Sequence, residues 1–183
     1  MRVLDVGCGP GIYVRALREA GIAADGVDID DRCPYDVCDV FSDEFRNKYM
    51  NGNYTLCMSL EVAEHLVPSK ADEFVARLVA VAPVVLFSAA QPGQGGVGHI
   101  NCQSKSYWSS KFAEHNYEYN EAATRDIVAY MSSGYHMGWF VNNAQVFTKV
   151  VDRQPFDAII REEMPQAVRL AAYFAGAAST FNN

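Results

Sequence analysis

Apolar and polar positions along the chain switch repeatedly between a two-residue and a helical period. Val3-Leu4-Asp5-Val6 is a branched apolar run around one carboxylate, the pattern of a buried strand. Gly7, Gly9 and Gly11 follow at every second position and predict a tight turn, because glycine tolerates backbone conformations that other residues resist. Residues 12–20 have helical spacing and close at Gly21. Residues 24–30 read as a second strand ending in acids, set parallel to and beside the first by a right-handed crossover. A short strand at 35–41, a brief helix at 42–50 capped by Ser42, a turn at 51–53 and a buried strand at 54–60 come next. Ser69 and Asp72 form a capping-box pattern before a helix whose Phe74, Leu78 and Val81 face the core, and Pro83 ends it. Val84-Val85-Leu86-Phe87-Ser88 is continuously apolar, as a central parallel strand is.

Beyond that strand lies an irregular stretch, 91–101, rich in glycine, and then a helix at 104–115 with Trp108 and Phe112 on one side. Residues 123–131 read as helical. Residues 139–141 and 145–151 read as a closing pair of strands around an Asn142-Asn143 turn. The tail at 156–178 is amphipathic and interrupted by Pro165, which predicts two short helices. Strand and helix thus alternate into an α/β fold: a doubly wound, mostly parallel sheet with an antiparallel closing strand and helices on both faces.

Composition adds boundaries. The 183 residues suit one domain, with 152–183 as a helical extension of the domain spanning 1–151. Half the residues are hydrophobic and a fifth charged, and the formal net charge of −7 argues against a nucleic-acid or anionic-membrane partner. Cys8, Cys33, Cys38, Cys57 and Cys102 are odd in number and form no C-x-x-C pair. They signal neither a zinc site nor a disulfide framework, so no metal ligand set is expected and a cytoplasmic location fits. The greasy run 78–90 is divided by Pro83 and falls short of the ~20 residues that cross a bilayer.

The turn's spacing selects its ligand. A dinucleotide fingerprint is G-x-G-x-x-G, with a pyrophosphate on the helix N-terminus; here the pattern is G-x-G-x-G, and Asp5 lies two residues before the first glycine. A carboxylate there repels phosphate and receives an ammonium group. Asp28, 17 residues beyond Gly11 at the strand's carboxyl edge, can accept both hydroxyls of a ribose. Together these residues resemble motif I of the class I S-adenosylmethionine-dependent methyltransferases, which have a Rossmann-like sheet. Glu61-Val62-Ala63-Glu64-His65-Leu66, directly after a strand, resembles motif IV of the small-molecule members. The string Gly98-His99-Ile100-Asn101, with Ser104 and Tyr107-Trp108 behind it, resembles the loop after strand five in members whose acceptors are sugars or other small polar metabolites.

The resemblance covers residues 2 to about 151 and implies S-adenosylmethionine as cofactor. It directs Asp5 to the methionine ammonium, the backbone of Gly7, Cys8, Gly9 and Gly11 to the same ligand, and Asp28 with Ile29 to the ribose. It directs Asp39 to the adenine amino group and the Val40 N–H to a ring nitrogen, with Asp36 competing for the first role. Ser59, Leu60 and Glu61 line the donor side. Family members carry N-terminal helices that cover the site, and this sequence is expected to lack that cover. Methyl transfer requires alignment and, for a weakly acidic acceptor, a base. His99 and His65 fall at the carboxyl edge and are the candidates, with Glu61 and Glu64 as alternatives and His65 also readable as a structural loop cap. His115 and His136 read as surface residues. No N/D-P-P-Y/F/W tetrapeptide, Pro-Cys nucleophile or paired-glutamate loop is present, which disfavours DNA, RNA and arginine methylation. The expectation is O-methylation of a small polar acceptor. A catalytically inactive cofactor-binding partner subunit and an NAD- or nucleotide-sugar-binding enzyme are the alternatives.

Overall fold

A computed structural model describes residues 1–132 and 138–150, and places seven strands in one sheet, ordered β3-β2-β1-β4-β5-β7-β6. The strands are β1 (Arg2–Val6), β2 (Ala23–Asp28), β3 (Asp36–Val37), β4 (Leu56–Leu60), β5 (Val84–Ser88), β6 (Tyr117–Tyr119) and β7 (Gln145–Lys149). β1 to β5 pair in parallel, whereas β7 runs antiparallel to both β5 and β6. The helices are α1 (Ile12–Glu19), α2 (Asp43–Tyr49), α3 (Ala71–Val81), α4 (Lys105–Glu114), α5 (Glu121–Ser132) and α6 (Gly138–Asn143).

Strand alternation divides the core between two faces. Leu4, Val6, Cys57, Val85, Phe87 and Phe147 pack with Phe45, Phe74, Leu78, Trp108 and Phe112 of α2, α3 and α4. Val3, Leu56, Met58, Val84, Leu86 and Val146 pack with Val14, Leu17, Ile127 and Phe140 of α1, α5 and α6. Both faces of the central strands are thus covered, which is why their sequences read as unbroken apolar runs. The doubly wound, Rossmann-like fold is as the sequence implied. The carboxyl ends of β1, β2 and β4 open at the reversal of order.

Three local readings are corrected. Residues 139–141 are not a strand: they lie in α6, whose Phe140 is buried and whose Phe140 carbonyl accepts the Ala144 N–H at 2.8 Å. An apolar triplet is too short for periodicity to separate helix from strand. The partner of β7 is β6 instead, paired Tyr117↔Lys149 through Tyr119↔Phe147. The strand read at 35–41 shrinks to two residues, because Cys38 and Ser42 turn away to cap α2, where Ser42 accepts the Phe45 N–H at 3.0 Å. The capping box at Ser69 is not formed; a 3-10 turn at Pro68–Lys70 leads into α3 without a side-chain cap. His136 and the tail read at 156–178 lie outside the described residues. Among the described residues, no helix is long and apolar enough to cross a membrane.

Candidate active site

The turn after β1 is built by glycine. Gly7, Gly9 and Gly11 all have positive φ (80°, 51° and 71°). A Cβ on Gly7 would lie 2.3 Å from Val62 Cγ2, and one on Gly11 would lie 2.1 Å from the Tyr35 ring. Every N–H in the turn is already committed. Gly7 and Cys8 donate to the Val27 carbonyl, Gly11 donates to the Cys8 carbonyl, and Gly9 donates to Asp28 Oδ2 at 2.8 Å. Pro10 has none. The turn itself therefore keeps no donor for a pyrophosphate.

Acids surround this turn. Asp5, 1% exposed, projects from the centre of β1, and its Oδ2 is buried without a hydrogen-bond partner. Burial, and after it the charge of Asp28, pushes its carboxyl up to about 7. Asp28 ends β2 and accepts one N–H at each oxygen, from Asp30 at 2.9 Å and from Gly9. A carboxylate has about four acceptor sites, so two remain for a ligand. Burial, and after it the charges of Asp5 and Glu61, pushes the hydroxyl of Tyr13, on the first turn of α1, above its ordinary range.

A cleft of about 410 Å³ opens beside the turn. Gly7, Asp28, Ile29, Asp39, Val40, Glu61 and His65 all line it, so seven of the fourteen candidate residues converge there. Ile29 is 71% exposed, an apolar side chain held out over the cleft. Phe41, Val62, Leu66 and Phe74 supply apolar wall that the sequence reading did not assign. Asp39 is exposed, and its Oδ1 accepts only from the nearby Phe41 N–H at 2.9 Å. Its competitor Asp36 is occupied by Lys48 and Tyr49, which hold its carboxyl below the usual range against the opposing effect of burial. Cys8 is buried with its Sγ 3.5 Å from Cys33 Sγ, and Gly9 lines a neighbouring depression. Asp5 and Ser59 are buried, Gly11 packs against Tyr35, and Leu60 packs against the apolar core.

Beyond the cleft, two loops are stapled together. The Glu64 carbonyl accepts the N–H groups of Ile100 and Asn101, both at 2.9 Å, and Asn101 Nδ2 reaches the Ala63 carbonyl. This fastening brings the rings of His65 and His99 edge to face, with centroids 4.9 Å apart. Glu61 sits in the left-handed region at φ 56°, its N–H held by the Ser88 carbonyl and hydroxyl. Its carboxylate accepts from Asn143 Nδ2, which also donates to Gln94 Oε1. Glu64 is fully buried, and neither of its carboxylate oxygens has a partner of good geometry. Burial first, and the Glu61 charge as well, pushes its carboxyl up to about 7, only partly offset by backbone amides.

Fold and turn together define a class: an open α/β sheet with a glycine turn at the switch point, where strand order reverses and ligands of such sheets bind. Residues 1–80 match the family model of a methyltransferase domain. A methyltransferase of Archaeoglobus fulgidus, described as S-adenosylmethionine-dependent, superposes with a TM-score of 0.55 at 19% identity, over 66% of this chain and 61% of that one. Magnesium protoporphyrin IX methyltransferase of Synechocystis PCC 6803, crystallised with S-adenosylmethionine, gives 0.56 at 15% identity, covering 81% and 70%. A small-RNA methyltransferase gives 0.55 at 17% identity, covering 81% of this chain and 23% of that one. The chain spans about three fifths of the length of the Archaeoglobus protein. No curated protein matches the sequence. Residues 1–80 thus match a methyltransferase domain, and the fold is that of solved S-adenosylmethionine-dependent methyltransferases, the fold that the sequence resemblance implied.

Proposed function

We propose that the cleft binds S-adenosylmethionine and that the chain transfers its methyl group to a hydroxyl of a small polar acceptor. One observation carries the reading: a buried carboxylate with one unpartnered oxygen, Asp5, stands behind a turn with no free N–H, beside a cleft edged by Asp28 and Asp39. A site of this kind attracts a cation and a sugar, and its three acids disfavour a phosphate. In this reading Asp5 answers the ammonium, and the spare acceptor sites of Asp28 take the ribose hydroxyls. Ile29, Val40 and Phe41 sandwich the base, while Asp39 with the Val40 N–H reads its edge. Glu61, Leu60 and Ser59 form the donor-side wall, and the Gly7–Gly11 turn with Cys8 packs beneath.

When bound, the sulfonium supplies an electrophilic methyl group that needs only an aligned nucleophile. The chain contributes the alignment and the deprotonation. His65 and His99 stand together at the cleft's rim, where a hydroxyl proton is to be removed. The net charge of −7 supports an acceptor other than a nucleic acid, and five unbridged cysteines support a reducing compartment such as the cytoplasm. Calorimetry with S-adenosylhomocysteine, paired with a turnover assay over polyol and sugar acceptors, tests the reading. Saturable binding with methylated product supports it. Binding without product across the panel would assign a cofactor-holding partner subunit, and no binding would overturn it.

A further inference from the structure

We infer that Glu64, His65 and His99 form a binding site for a divalent transition-metal cation at the mouth of the cleft. One ligand atom from each residue lies within 4.8 Å of the other two. Coordination at about 2.1 Å places neighbouring ligand atoms about 3.0–3.4 Å apart, so side-chain rotation closes the remaining gap.

The imidazoles are oriented for this role. His65 Nδ1 lies 3.2 Å from the Gly98 carbonyl, and His99 Nδ1 lies 3.3 Å from the Gln94 carbonyl. A carbonyl only accepts, so each Nδ1 carries the proton and each Nε2 keeps its lone pair. That is the outer-shell arrangement which fixes a metal-ligating histidine. Glu64 supplies the independent observation: a fully buried carboxylate neither of whose oxygens finds a hydrogen bond of good geometry. Such a group calls for a cation, and among the described residues no ion pair reaches it. The backbone bonds from Glu64 to Ile100 and Asn101 hold the two ligand-bearing loops in register. Gly96 makes the fit: a Cβ there would lie 2.2 Å from the His99 ring, so only glycine lets the ring fold back over the loop.

Two neutral imidazoles and one carboxylate suit a borderline ion such as Mn²⁺, Fe²⁺ or Zn²⁺ and leave coordination positions open. An acceptor hydroxyl fills one. This role, unlike the metal site itself, rests on the methyltransferase reading. With both imidazoles held by the metal, water in place of a histidine takes the proton of the coordinated hydroxyl, and the oxygen lone pair forms the O–CH3 bond. The electrons of the broken S–CH3 bond remain on sulfur.

Mn²⁺ titration of chelator-stripped full-length protein, followed by electron paramagnetic resonance, tests the site without any cofactor. One Mn²⁺ is expected per chain, with Zn²⁺ competing. His65→Gln and His99→Gln should each weaken binding at least tenfold, and Gly96→Ala, outside the cleft lining, should do so by displacing the His99 ring while leaving S-adenosylhomocysteine affinity unchanged. That affinity also serves as the folding check for Glu64→Gln. A free Mn²⁺ signal undiminished by excess wild-type protein, or equal binding by all four variants, overturns the inference. Loss of S-adenosylhomocysteine binding alone with Mn²⁺ retained would instead overturn the methyltransferase reading, and turnover surviving chelation would remove the hydroxyl role.

Discussion

Asp5 is the residue whose chemistry is most exposed to test. Its folded-state value of about 7 lies above the ordinary 3.8, so the folded chain holds this proton more tightly than the unfolded chain does. The sign follows: stability from this group is whole below about pH 4 and is lost as pH rises toward and through 7. An ammonium beside Asp5 reverses the preference and expels the proton. The affinity for S-adenosylhomocysteine should therefore rise from about pH 5 to about pH 7 and then level off. Calorimetry near pH 6 in buffers of different ionisation enthalpy should count close to one proton released. Asp5→Asn should abolish that release and raise the thermal midpoint of the unliganded protein above pH 7. A variant that still releases the proton would remove Asp5 from the ligand site. Asp28 is tested through affinity alone. Asp28→Ala should weaken donor binding about tenfold or more, since charged hydrogen bonds contribute roughly 1.5–3 kcal/mol and the Gly9 tether is lost with them. The placing of Asp5 and Asp28 beside the turn was legible from sequence because their positions follow from spacing to the glycines. Tyr13 and Asn143 were not: what matters about them is a neighbour, Asp5 for the first and Glu61, 82 positions away, for the second.

At the scale of elements, the glycine turn was readable because a backbone constraint leaves a residue-type signature, whereas the last helix was not. The triplet Trp139-Phe140-Val141 suits strand and helix equally, and burial of Phe140 beside α5 decided between them. The three-residue β6 left no periodic trace at all and exists because β7 has an open edge to cover. The turn itself predicts a divided response. Gly7→Ala incurs both a left-handed strain, about 1–2 kcal/mol, and a collision with Val62. Adding Val62→Ala removes only the collision, so thermal unfolding of the double variant should recover part of the lost stability and never all of it. Full recovery would mean that the φ of 80° at Gly7 carries no requirement for glycine. Glu61, at φ 56°, predicts the opposite trade: Glu61→Gly relieves strain on the order of 1 kcal/mol while deleting the carboxylate on the cleft. Its thermal midpoint should hold within about 5 °C of the parent while turnover falls.

Across the whole molecule, the reversal of strand order sets two groups of residues apart. The ends of β1 and β2 and the loop after β3 carry Asp5, Asp28 and Asp39, the acids proposed for the donor, and loops after β4 and β5 carry the two histidines and the buried Glu64. The loops of the second group are joined to each other at Asn143, which sits at the end of α6 yet binds Glu61 after β4 and Gln94 after β5, while Gln91 Nε2 donates back to its Oδ1 at 3.1 Å. Asn143 is 2% exposed, so truncating it strands partners that have little water to replace it. Asn143→Ala should release the glycine-rich loop. Hydrogen exchange should quicken across residues 91–101, turnover should fall at least several-fold, and donor affinity should stay within about twofold because Asp5 and Asp28 are untouched. Asp28→Ala inverts that pattern, losing affinity with the loop still protected. If Asn143→Ala instead weakened the donor as strongly as Asp28→Ala does, the cleft and the histidine loops would be a single cooperative unit, and the division of labour at the switch point would be wrong.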